Sequence, residues 1–314
     1  MELWVLFVII GQFLNATVIL NDRFIVSKNV VSKPVVYAFY VSFLSIFAIG
    51  ALPFGVSWPS AHTAIFSIIA GVSYLISILL FYESLKNSRA SEVVPVVGGV
   101  ATISTLISSA LILNTGLPTG SDKFIIGFFF LVIGMVLISH FEFTKRSLLF
   151  LVGAGIFFGL SNVLIKVIFN ETTSFIDGFF WSRMANVVVA LALLLIPSVW
   201  KTVSQDWTNK KAVSNDHHNH HKKSHGRARK ALIILGNKVL AGVAFIFILL
   251  AIKGGNVAIV NALTATQYVF IFIFALFFHS LIPDYFDEKI HKHEFLHKLL
   301  ATVLIVIGFF VLFV

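Results

Sequence analysis

Uninterrupted apolar runs about twenty residues long are the feature that most constrains this chain. One of them contains Phe128-Phe129-Phe130-Leu131-Val132-Ile133 with no polar residue between. In hydrocarbon every unpaired backbone N–H or C=O costs several kcal/mol, so such a run can cross a bilayer only as a helix or as a strand of a closed barrel. Barrel strands alternate apolar and polar positions over about ten residues, and these runs do not alternate. The expectation is an all-α polytopic membrane protein. Composition points the same way: with 58% hydrophobic residues, 12% charged residues and 34 Phe in 314 positions, a soluble core would overflow.

A span length of about twenty residues predicts ten transmembrane helices. They fall near 3–22, 35–53, 61–82, 92–113, 122–141, 148–168, 175–197, 231–252, 256–281 and 296–314. Pro34, Pro53, Pro59, Pro118 and Pro283 mark the turns. The first run begins at Leu3 behind a single acidic Glu2, with no basic leader and no small-residue cleavage site, so it reads as a helix rather than a removed signal. No cysteine occurs, which excludes disulfides and thiolate metal sites and leaves the redox compartment undetermined.

Residues 200–230 differ from the rest and read as a solvated loop. They carry Lys201, Lys210, Lys211, Lys222, Lys223, Arg227, Arg229 and Lys230 around a histidine run, His217, His218, His220, His221 and His225. Most of the other basic residues also fall in odd-numbered loops: Arg23, Lys28, Lys33, Lys86, Arg89, Lys145, Arg146, Lys289, Lys292 and Lys298. The opposite side has Lys123, Lys166 and Lys253. The positive-inside rule then puts the odd loops in the cytoplasm and both termini outside, in a multi-pass protein of the cell (inner) membrane. That bias also accounts for the net charge of +9 without a nucleic-acid partner.

Dividing the chain near residue 146 leaves five helices in 1–146 and five in 147–314. An odd number per half forces the second copy to insert upside down, the logic of inverted-repeat transporters. Around the third-to-fourth junction, Leu85-Lys86-Asn87-Ser88-Arg89-Ala90-Ser91 followed by Pro95 lies against Ile252-Lys253-Gly254-Gly255-Asn256 followed by Ala262. Ala16-Thr17-Val18-Ile19-Leu20-Asn21 lies against Ser161-Asn162-Val163-Leu164-Ile165-Lys166, and Pro53 against Pro197. With these features the chain resembles the drug/metabolite transporter superfamily, in its ten-helix EamA-like branch. The resemblance covers nearly the whole chain apart from 200–230. It departs from the family pattern where Asn114-Thr115-Gly116-Leu117-Pro118 replaces an acidic Gly-Glu pair. The resemblance implies a solute exporter or exchanger with a central cavity between the halves. It also implies cytoplasmic termini, whereas the charge distribution puts them outside.

Polar side chains inside hydrocarbon are costly, so those near helix midpoints are the site candidates. Gln12 and Asn15 share one helical face, as do Asn162 and Lys166. Tyr74 lies in the third span; Thr102 and Thr105 in the fourth; Asn261, Thr264, Gln267 and Tyr268 in the ninth. Such groups either line a cavity or join helices through hydrogen bonds. Two cations, Arg183 and Lys238, fall within apolar runs; Arg183 is expected to meet an anionic substrate or to reach back to Asp177. Pro95 with Gly98 and Gly99 forms a candidate hinge. The histidines at 217, 218, 220 and 221 are candidate metal ligands. No phosphate-cradling loop, nucleophile elbow or HExxH occurs, so neither an enzyme nor a cofactor is expected. The lead expectation is a secondary transporter of a small organic metabolite working by alternating access within the lipid bilayer, either as a monomer or as a homodimer. A divalent-cation transporter using the histidine loop and a non-transporting membrane scaffold are the alternatives.

Overall fold

A backbone that must satisfy its own hydrogen bonds in lipid has little choice but helix, and helix is what the chain forms. A computed structural model describes residues 2–26, 34–85, 90–114, 122–139, 143–205, 224–278 and 292–313; no strand occurs among them. The helices are α1 (Leu3–Val26), α2 (Pro34–Phe43), α3 (Ala61–Leu85), α4 (Ala90–Ile112), α5 (Asp122–Leu137), α6 (Lys145–Glu171) and α7 (Phe175–Leu193). There follow α8 (197–205), α9 (Ser224–Gly254), α10 (Val257–Ala262), α11 (Thr266–Phe278) and α12 (Lys292–Phe313). Among the described residues eight spans are long and apolar enough to cross a membrane. The chain is an all-α polytopic membrane protein.

Two spans are not uniform α-helix. The second continues from α2 into a 3-10 helix, Leu44–Phe54, which ends at Gly55 with φ +81°. Pro53, with no N–H to donate, sits in its last turn. The ninth, expected at 256–281, is helical from Val257 to Phe278 but tightens at the 3-10 turn Leu263–Ala265 that joins α10 to α11. The eighth, expected at 231–252, begins earlier, since α9 runs from Ser224. Side-chain oxygens start four of the described helices by accepting backbone N–H groups: Ser60 for α3, Thr144 for α6, Ser174 for α7 and Asn256 for α10.

Lipid tails are as apolar as leucine, so close backbone approach and buried hydrogen bonds decide which helices pair. Helices α3 and α6 run antiparallel, held by Ser77 Oγ donating to the Ala154 carbonyl (2.9 Å) and Ser161 Oγ donating to the Ala70 carbonyl (3.1 Å). On its other side α6 meets α4, where Ser104 Oγ donates to the Ile156 carbonyl (2.8 Å). Gly159 makes that approach feasible: a Cβ there would lie 2.6 Å from the Ala101 carbonyl oxygen. Helix α1 runs antiparallel to α9, with Asn237 Nδ2 donating to the Val18 carbonyl (3.4 Å). Helix α5 lies along α12, Gly127 facing Gly308. The buried apolar core gathers residues from α1, α3, α5, α6, α9, α10, α11 and α12, including Val8, Leu131, Ile168, Leu249, Leu263 and Ile305.

Trp4 packs on Gly255 and its ring lies 6.2 Å from that of Phe313, so both ends of the described chain lie at one end of the bundle. The loop before α3 is fastened at the same end. Ser57 N–H donates to Asp177 Oδ1 (2.7 Å), Trp181 Nε1 donates to the Ser57 carbonyl (2.9 Å), Thr63 Oγ1 donates to Glu171 (3.0 Å), and His62 pairs with Glu171.

Candidate functional site

The ninth span, at its 3-10 turn, positions a group of buried polar side chains. Asn261 is in the last turn of α10, before the 3-10 turn, and is 6% exposed. Its Oδ1 accepts from Nδ2 of Asn162 on α6 (3.0 Å), and its own Nδ2 donates to Oγ1 of Thr105 on α4. Thr102, one turn earlier on α4, donates to the Asn261 carbonyl (3.2 Å) and to the Gly98 carbonyl (2.9 Å). Three helices thus meet on one amide. On the opposite side of the 3-10 turn, Gln12 of α1 donates to Thr264 (3.4 Å) and accepts from Asn15 (3.4 Å). Gln267 and Tyr268 follow in α11, both buried.

A second group surrounds Arg183, which is buried in α7. The guanidinium carbon lies 4.6 Å from the ring centre of Phe245 on α9 and 5.9 Å from that of Tyr74 on α3. The expected reach to Asp177 does not occur, because Asp177 accepts from the backbone of Ser57 instead. No carboxylate pairs with Arg183 among the described residues, and its Nε has no hydrogen-bond partner.

The remaining candidates divide by environment. Lys166 does not join Asn162: its Nζ donates to the Lys253 carbonyl (2.8 Å) near the end of α9, where a cation is favourable to the helix dipole. Gly98 and Gly99 allow α5 to approach, since a Cβ at either would meet Met135 or Val136 side chains at 3.1 and 2.9 Å. Pro95 lies within α4, which continues through it. The side chain of Lys238 and the histidines 217, 218, 220 and 221 lie outside the described residues. Among the described residues no three His, Asp or Glu side chains converge as a metal-binding group.

Phe245 and the Glu171–Asp177 fastening are absent from the sequence expectation. A phenylalanine among 34 carries no signal of its own, and acids at helix ends look like ordinary solvated termini.

Neither a protein-family model nor a curated protein matches the chain. Solved structures do match, 25 chains in number. One, titled "Crystal structure of protein", is similar with a TM-score of 0.63 at 14% identity, covering 99% of this chain and 96% of its own. At that identity the likeness establishes a shared fold over the full length.

Proposed function

We propose that this chain is a secondary transporter of a small organic metabolite, in the EamA-like branch of the drug/metabolite transporter superfamily, built as two inverted halves of five helices. The observation that carries the reading is the 3-10 turn within the ninth span, between α10 and α11, and the buried polar side chains gathered at it. A 3-10 stretch inside a longer helix often marks a functional hinge, and secondary transporters place their binding groups near the midplane where two repeats meet. Here that turn holds Thr264, with Asn261 before it and Gln267 after it, and the side chains that Asn261 and Thr264 meet include one from the first helix of each half, Gln12 of α1 and Asn162 of α6.

The count of ten adds α5, with 16 residues, and the apolar stretch Val239–Gly254 of α9 to the eight longer spans. An even number agrees with both chain ends lying together. Exchanging the halves maps the α3–α6 pair onto α9–α1 and the α5–α12 pair onto itself, as an inverted repeat requires. Each half therefore lends its first helix to the other. Alternating access is then a rocking of α3, α4 and α6 against α1, α9, α10 and α11, with the 57–63 fastening closing one end.

The test is efflux from liposomes loaded with a small-molecule extract of the source cells, read by mass spectrometry. Wild-type protein is expected to release at least one component that empty liposomes retain, and Asn162→Leu or Gln267→Leu is expected to abolish that release with insertion intact. Identical profiles for wild type, both variants and empty liposomes would sink the assignment.

A further inference from the structure

Arg183 lies eight residues into the 19-residue α7, about 12 Å along a helix of roughly 28 Å, near the middle of that span. At 7% exposure it is removed from water. Its neighbours are Phe245 on α9 and Tyr74 on α3, whose ring faces attract positive charge but accept none of the five guanidinium N–H donors. Nε is unpartnered, and Asp177 on the same helix is already held by Ser57 N–H. On α3 a further buried hydroxyl, Ser67 Oγ, is also unpartnered. Ser67 precedes Tyr74 by two helical turns and shares its stripe. A buried charged group within a span whose Nε finds no acceptor among the described residues is costly unless something supplies one.

We propose that Arg183, flanked by Tyr74 and Phe245, is a subsite for the carboxylate of a singly charged organic anion. The proposal rests on the transporter reading above and names the substrate class of that protein. The planar guanidinium fork matches a carboxylate in a bidentate pair, and two aromatic rings suit the apolar body attached to it. Charge balance selects one negative charge: Lys166, the next described cation in the spans, is turned to the Lys253 carbonyl and leaves a phosphate dianion without its second counter-charge.

The probes are acetate, hexanoate, benzoate and phenylacetate, each with its neutral amide, and phenyl phosphate. Thermal unfolding of the full-length protein in detergent at 10 mM probe reads binding as a rise in Tm. At least one carboxylate is expected to raise the Tm of wild type while its amide and phenyl phosphate do not. Arg183→Met is expected to lose that rise, and Arg183→Lys to keep part of it. Without probe, Arg183→Met is expected to unfold no lower than wild type, because it removes an uncompensated buried charge. No carboxylate outperforming its amide, an equal rise in Arg183→Met, a larger rise with phenyl phosphate, or a Tm of Arg183→Met well below wild type would each overturn the proposal. Flux of the active carboxylate into liposomes separates the two readings. Binding without flux sinks transport and leaves the subsite, whereas flux of uncharged solutes with no carboxylate rise sinks the subsite and leaves transport.

Discussion

Replacing Gly159 by alanine adds one methyl group at the tightest point between α4 and α6. That methyl would lie 2.6 Å from the Ala101 carbonyl oxygen, 2.8 Å from Ser104 Cβ and 2.8 Å from the Thr105 nitrogen, against an ordinary contact of 3.4–4 Å. Two of these three atoms are backbone and cannot rotate away, so the helices must part by about 0.8 Å, enough to forfeit a quarter to a half of the dispersion attraction between them. Overpacking of this kind costs about 1–3 kcal/mol. The parting also stretches the bonds from Ser104 to the Ile156 carbonyl and from Thr105 to the Gly159 carbonyl, each contributing roughly 0.6 kcal/mol. Against this stands a gain of about 1 kcal/mol from the better helix propensity of alanine. The net expectation is a loss of about 1–3 kcal/mol. Gly242 provides the control, because nothing lies within 4 Å of a Cβ there and only the propensity gain remains. Thermal unfolding of both variants in one detergent, followed by tryptophan fluorescence, should put Gly159→Ala below wild type and Gly242→Ala at or above it. If Gly159→Ala unfolds with Gly242→Ala, backbone approach is not what pairs α4 with α6.

Alanine at Asn162, at Asn261 and at both positions forms a double-mutant cycle. A coupling of about 0.5–1.7 kcal/mol in unfolding is expected for their buried bond, and additivity would mean the amides do not act together. Lys166→Met is expected to raise hydrogen exchange in the last turn of α9 about five-fold, for a loss of about 1 kcal/mol, while solute flux stays near wild type; a large loss of flux with unchanged exchange would return Lys166 to the substrate site. Glu171→Ala combined with Asp177→Ala removes three fastenings of the 57–63 segment, worth about 3 kcal/mol together and so up to about 100-fold in the population of the opened end. In this naturally cysteine-free chain, a single Thr264→Cys should then react faster with a water-soluble maleimide, and an unchanged rate would show that the segment does not gate access.

The spans were legible because lipid imposes one backbone solution and a length, and residues such as Phe128–Ile133 leave no doubt about the solvent. Their ends and breaks were less so. The 3-10 turn at 263–265 has no proline or glycine to announce it, and it follows from how Asn261 and Thr264 pair with α4, α6 and α1. The same distinction holds in the site. Asn162, Asn261, Gln12 and Thr102 stood out because amides and hydroxyls within an apolar span need partners; Asn162 and Thr102 find theirs on Asn261, and Gln12 on Thr264. Lys166 stood out for the same reason, yet its stem carries the ammonium to a helix end, an outcome that depends on a residue 87 positions away. Ser77, Ser104 and Ser161 drew no attention as single hydroxyls, and each ties one helix to a neighbour's carbonyl.

The bond from Asn237 to the Val18 carbonyl joins residues 219 positions apart, whereas those fastening α6 to α3 and α4 span 77 and 52. At 5–20 residues per second of synthesis, α1 waits about 10–45 s for its partner. During that interval Gln12 faces lipid without Thr264, while α3, α4 and α6 can already assemble. Helix α1 is therefore made before α3, α4 and α6 yet docks after them. A chain arrested after residue 205 is expected to protect the α3–α6 seam while a cysteine at Gly11 still reacts; protection at both would mean that α1 finds shelter before α9 exists. Lesions in α9 should accordingly leave an orphaned amino-terminal helix for quality-control proteases, with the damage appearing far from the altered residue.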